Sequence, residues 1–173
     1  MKDKNNSEAK KLFHSAQSYE QAFLILNKMS SASPIALYNL FQPVITCILL
    51  SLELYFKCLI ILEGNEYPHK HEFSLILNKL PSESKKLICE MLYKTNKETA
   101  EMIQTIHTRE NSAGVSLTEG AFVSYLEDHD KDFTDWRYMT LNVGQGIQIN
   151  ILHTIIEAVK LVIKAKYPNI ESE

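Results

Sequence analysis

Apolar residues recur along this chain at helical rather than strand spacing. In "SEAKKLFHSAQSYEQAFLILNKM", Leu12, Ala16, Tyr19, Phe23 and Leu26 fall on one face, with Ser7 as the candidate N-cap. "SSAS" and Pro34 close that helix and open a second, predicted over 34–63 and stopped by Gly64. "NEYPHK" reads as a loop, and "HEFSLILNKLP" as a short helix closed by Pro81. "SESKKLICEMLYKTNKETAEMIQTIHTRE" reads as one long helix capped by Ser82 or Ser84, with Leu87, Met91, Ile103 and Ile106 inward. After the break at "NSAGVS", "LTEGAFVSYLEDHD" and "KDFTDWRYM" are shorter elements. A final helix over 147–166 keeps Ile147, Ile151, Ile155, Val159 and Val162 on one stripe. No strand alternation or internal repeat interrupts this pattern. It predicts a single all-α domain over 1–173, an up-and-down bundle of five or six helices built around 34–63.

The most apolar run, "ITCILLSLELYFKCLIIL" over 45–62, carries Glu53 and Lys57 in its middle. A central Lys or Asp costs a membrane helix roughly 2.5–3.5 kcal/mol, against about 0.3–0.6 returned by each Leu or Ile. No second run matches it, so the expectation is a bundle core and no membrane. At about 100° per residue, Asn39, Gln42, Thr46, Glu53 and Lys57 lie within roughly 60° of one another. This polar seam has three readings: a half-solvated edge, a buried structural network, or a functional groove or dimer seam. A buried pair would need further partners, because desolvation costs several kcal/mol per ion.

Composition narrows the class. Of 173 residues, 45% are hydrophobic and 23% charged, the balance of a globular protein. Five Gly and five Pro are too few for a turn-rich β protein. A net charge of −3 argues against a surface built mainly to neutralise phosphates, though not against one local basic groove. Cys47, Cys58 and Cys89 form no CxxC motif, and the first two are too far apart on one helix to bond. Reduced thiols and a cytoplasmic location are therefore expected. "MKDKNNSEAKK" has no apolar stretch after its lysines, so no signal peptide is expected.

The order of several pieces, "ELYFKCLIILEGNEYPHKHEFSLILNKLP" and then "FTDWRYM", resembles the HEPN superfamily of small helical bundles. The resemblance covers about 37–138. It aligns Glu53 and Lys57, then His71, Glu72 and Phe73, then Arg137 and Tyr138 with positions recurrent in HEPN-like groups. It implies a homodimer that associates with RNA or nucleotides, with or without a cognate protein partner, in a defence or toxin–antitoxin setting. Catalytic members resemble metal-independent endoribonucleases carrying Arg, four to six residues, then His. Here neither Arg109 nor Arg137 is followed by His at that distance, and Asn142 stands at the shortest spacing. An amide does not move protons as imidazole does, so the usual nuclease motif is absent and nuclease activity stays open. His71 and His153 are the imidazoles left to approach Arg137.

The candidate functional seam is therefore Glu53, Lys57, His71, Arg137, Tyr138 and Asn142. Arg137 is expected to pair with Glu53 through its planar fork, with Lys57 nearby and Tyr138 packed alongside. For His71 the plainer reading is a helix N-terminal residue bonding nearby backbone. No metal and no cofactor is expected. "HKHE" offers His69, His71 and Glu72 too close together to close a site. "DHDKD" has Phe133 and Met139 where an EF-hand needs Gly and Glu, so its acids are expected to cap the helix of Trp136 and Arg137. "GQG" at 144–146 lacks a preceding strand and reads as a loop. The alternative to the RNA-associated reading is a non-catalytic dimerisation and interaction scaffold with no nucleic-acid substrate.

Overall fold

The computed structural model describes residues 2–108, 114–130 and 148–171. Among them every regular element is helical: α1 (Lys2–Ser30), α2 (Pro34–Leu62), α3 (Phe73–Leu77), α4 (Ser82–Thr95), α5 (Lys97–Thr108), α6 (Glu119–Glu127) and α7 (Ile149–Lys166). The all-α expectation is met.

Helices α1 and α2 form a long antiparallel hairpin. The Ser33 hydroxyl accepts from the Ala36 amide at 3.1 Å, and Pro34 takes the first helical turn, where its missing N–H costs nothing. Gly64, at φ 82°, ends α2 in the left-handed region that glycine adopts without a Cβ clash. Ser51 donates to the Ala16 carbonyl at 3.0 Å inside the hairpin, and Phe13 meets Tyr55 edge-on at 5.4 Å.

The other face of α2 is closed by α3, α6 and α7. Phe56 meets Phe73 of α3 at 6.3 Å and Phe122 of α6 at 6.4 Å, both edge-on, and all three rings are fully buried. Ile151, Ile155, Val159 and Val162 of α7 are buried as the stripe predicts; Ile147 lies outside the described residues. Length and composition alone would let α2 cross a membrane. In this fold 78% of its most apolar window is buried inside the bundle instead.

Several expectations need correction. Ser7 lies inside α1, which starts at Lys2, and α4 opens after Pro81 with no side-chain cap from Ser82 or Ser84. The long helix over 82–110 is two helices: Asn96 leaves helical geometry (φ −149°, ψ 84°), and its side-chain oxygen accepts from the Thr99 amide at 3.0 Å to cap α5. Counting α3, this makes seven helices among the described residues rather than five or six. Tyr19 and Ile106 are exposed rather than inward. On α1 the buried stripe runs Ala9, Phe13, Ala16, Glu20 and Phe23, so the helix is turned by one position and buries a glutamate.

Candidate functional site: two buried carboxylates beside the central helix

The polar seam of α2 runs from solvent into the core. Asn39 is exposed, Gln42 and Thr46 are half-buried, and Glu53 and Lys57 are 2% and 6% exposed. One helical turn separates the last two, which places the Lys57 ammonium 2.6 Å from Glu53 Oε1. The loop after α2 brings His71 back over the same carboxylate, with Nδ1 3.0 Å from both Oε1 and Oε2. A carboxylate only accepts, so this contact places a proton on Nδ1 and makes Nε2 the basic nitrogen of the neutral ring. His71 thus has a side-chain partner, Glu53, just ahead of α3. The His71 side chain is 47% exposed, so the buried Glu53 carboxylate has a partner that reaches solvent.

Aromatic and acidic groups complete the surroundings. Lys57 lies 5.3 Å from the centre of the Tyr67 ring, a cation–π distance, and the Tyr67 hydroxyl donates to Glu8 of α1 at 2.9 Å. His69 meets the Tyr67 ring edge-on at 5.9 Å. The desolvation of Glu53 and Lys57 is thus offset by several contacts rather than by one pair.

Glu53, Lys57 and His71 come together. Arg137, Tyr138 and Asn142 lie outside the described residues, as do Arg109, Trp136, "GQG" and the Glu53–Arg137 pair. The helix that the acids of "DHDKD" are expected to cap lies outside the described residues; two of those acids are described. Asp130 accepts from the Ser74 amide at 3.0 Å, at the start of α3, and Asp128 stands 3.8 Å from His107.

A second constellation went unnoticed in the sequence. Glu20 is 3% exposed, and its two oxygens are divided between neighbours. Oε2 accepts from the Tyr55 hydroxyl at 2.8 Å, and Oε1 pairs with Lys160 at 2.8 Å. Lys160 also holds Glu157 Oε1 at 2.8 Å, and His153 Nε2 approaches Glu20 at 3.6 Å and Glu157 at 3.9 Å. Burial alone would raise the Glu20 pKa; the neighbouring His153, Lys160 and Tyr55 outweigh it and hold the carboxyl at about 2. Burial, and then the Glu20 charge, push the Tyr55 phenol well above its ordinary value. The available sequence signal was the spacing of Ala9, Phe13, Ala16 and Phe23, which leaves position 20 on the buried face.

Elsewhere, Lys166 and the Ser84 hydroxyl both donate to Glu63 at the end of α2, and the Tyr167 hydroxyl donates to the Leu62 carbonyl at 2.8 Å. A shallow cleft of about 500 Å³ lies between α4 and the segment leading into α6, lined by Lys86, Cys89, Tyr93, Lys94 and Glu119 among others. Compared with family models, with curated proteins and with solved structures, the chain finds no match in any of the three.

Proposed function

We propose that this chain is a HEPN-like, RNA- or nucleotide-associated module of a defence or toxin–antitoxin system, with Glu53, Lys57 and His71 at its chemical centre. The observation that supports it most is the half-exposed His71 imidazole, held at 3.0 Å by a carboxylate that is itself buried. A carboxylate behind an imidazole fixes its tautomer and stabilises the imidazolium formed when the ring takes a proton. On RNA, such a ring would take the 2′-hydroxyl proton as that oxygen attacks the neighbouring phosphorus and the 5′-oxygen leaves. No metal enters that chemistry, and His71 would stand in for the imidazole missing after Arg137.

The test uses tag-free protein with labelled single-stranded RNA in EDTA, followed by gel shift and by cleavage. RNA is expected to bind, and His71→Gln to lower any cleavage by about 100-fold or more while the chain stays folded. Failure of the wild-type protein to bind RNA or nucleotides would overturn the reading.

One feature favours the interaction-scaffold reading. Ile25 and Met29 of α1, with Ile35, Leu37 and Tyr38 of α2, are all at least half exposed around the hairpin turn, and Ile35 and Tyr38 reach 75% and 77%. A concentrated apolar tip of this kind suits a second copy of the chain. Light scattering at micromolar concentration should give twice the 19.9 kDa chain mass, and Tyr38→Glu should restore the single mass.

A further inference from the structure

We propose that Glu20, His153 and Glu157 form a binding site for one divalent transition-metal ion, of the zinc or cobalt type, and that the Lys160 ammonium holds its place when the ion is absent. This inference is independent of the RNA-associated reading, because it uses none of the residues named there.

The donor set comes first. One ligand atom from each of the three residues lies within 4.8 Å of the other two. His153 and Glu157 are one turn apart on α7, and Glu20 faces them from α1. A tetrahedral ion with ligands at about 2.0–2.2 Å spaces those ligands about 3.3–3.6 Å apart. The observed separations from His153 Nε2 are 3.6 Å to Glu20 and 3.9 Å to Glu157, so closure on an ion needs only small side-chain movements. Two carboxylates and a neutral imidazole suit such an ion, which leaves its remaining position to water.

Two further observations point to a cation larger in charge than an ammonium. His153 Nε2 is buried yet makes no hydrogen bond, which is an unmade contact for an atom directed at two carboxylates. With His153 neutral, Lys160 is, among the described residues, the one ammonium in contact with both Glu20 and Glu157, at 2.8 Å from each. A divalent ion would neutralise both and occupy Nε2. Lys160 is on a long flexible stem and 17% exposed, so it can swing outward.

The surrounding contacts hold the ligands in place. Tyr55 fixes the second oxygen of Glu20, and the Phe23 ring packs against the His153 ring at 5.4 Å. Hydrogen bonds and packing behind the ligands are what orient them in metal sites.

The experiment uses tag-free protein, stripped with chelator and dialysed, then titrated with Zn²⁺ by calorimetry and with Co²⁺ by visible absorption. One ion per chain is expected, with Co²⁺ bands of a His-and-carboxylate site. Lys160→Met removes the competing ammonium and should tighten binding at least tenfold. Glu157→Gln, at a side chain 46% exposed, should weaken it at least tenfold without loss of helical circular dichroism. His153→Ala should do the same and abolish the Co²⁺ bands. The proposal is overturned if Lys160→Met binds no stoichiometric ion, or if binding survives both Glu157→Gln and His153→Ala unchanged, which would locate the ion elsewhere.

Discussion

Tyr55 donates a 2.8 Å hydrogen bond to Glu20 across the α1–α2 hairpin, joining a fully buried phenol to a carboxylate that is 3% exposed. A charge in that position is stable only while its partners remain. Glu20→Ala removes the acceptor shared by Tyr55 and Lys160, and should cost on the order of 3–5 kcal/mol in a urea melt. Tyr55→Phe removes one hydrogen bond to a charged group and should cost about 1.5–3 kcal/mol. Losses below 1 kcal/mol in both variants would show that the cluster adds little to the fold.

The same carboxylate sets an acid limit. Its pKa is about 2 in the folded chain and about 4.5 when unfolded, so the unfolded state takes up the proton first as pH falls. The stabilisation is complete above pH 4.5 and is lost as pH falls towards 2; it amounts to about 3 kcal/mol by linkage. Melting curves from pH 6 to pH 2 should show this loss in the wild type. In Glu20→Gln the slope over that interval should flatten.

At the other carboxylate, stability and function should separate. Lys57→Ala strips a 2%-exposed Glu53 of its ammonium and should cost about 3–5 kcal/mol, with Glu53→Gln also destabilising. His71→Gln changes a half-exposed side chain and should cost no more than about 1 kcal/mol. A large loss from His71→Gln would make that imidazole a structural strut.

Cys58 and Cys89 should be silent towards thiol reagents in the native protein. Burial pushes both thiols up to about 12, so almost no thiolate exists at neutral pH. Only the half-buried Cys47, raised more modestly by burial, should label slowly with a chromogenic disulfide. All three should react in denaturant, and rapid native labelling of Cys58 would contradict its burial.

The bend between α4 and α5 depends on one side chain. Asn96→Ala should cost about 1 kcal/mol by removing the α5 cap. An unchanged or raised stability would mean that the two helices prefer to run on as one.

Helices α2 and α7 were legible because their apolar positions repeat without conflict and their ends carry Pro and Gly signals. The Glu53–Lys57–His71 grouping was foreshadowed by charges placed inside the greasiest run, and His71 reaches them from the loop that follows it. The Glu20 cluster was not legible. A charged residue at a core position looks like the edge of a stripe, so spacing alone favours Tyr19 for the inward place that Glu20 occupies. Three of the residues around it, His153, Glu157 and Lys160, also stand more than a hundred residues away, where no local pattern announces them. Asn96 was hidden for another reason, since residues on both sides of it favour helix and only its capping geometry stops α4.

The clasp of Lys166 and Tyr167 onto the end of α2 also matters for the chain during its synthesis. Helix α2 is completed at Leu62, yet the helix that covers its far face begins at Ile149, 87 residues later. At about 5–20 residues per second, a ribosome needs roughly 4–17 seconds to make that stretch. During that interval the most apolar helix of the protein has only α1 and the early α3–α6 segments for shelter. A chain cut short before Ile149 therefore presents an uncovered greasy surface, which makes stalled synthesis a direct route to capture by chaperones or to aggregation.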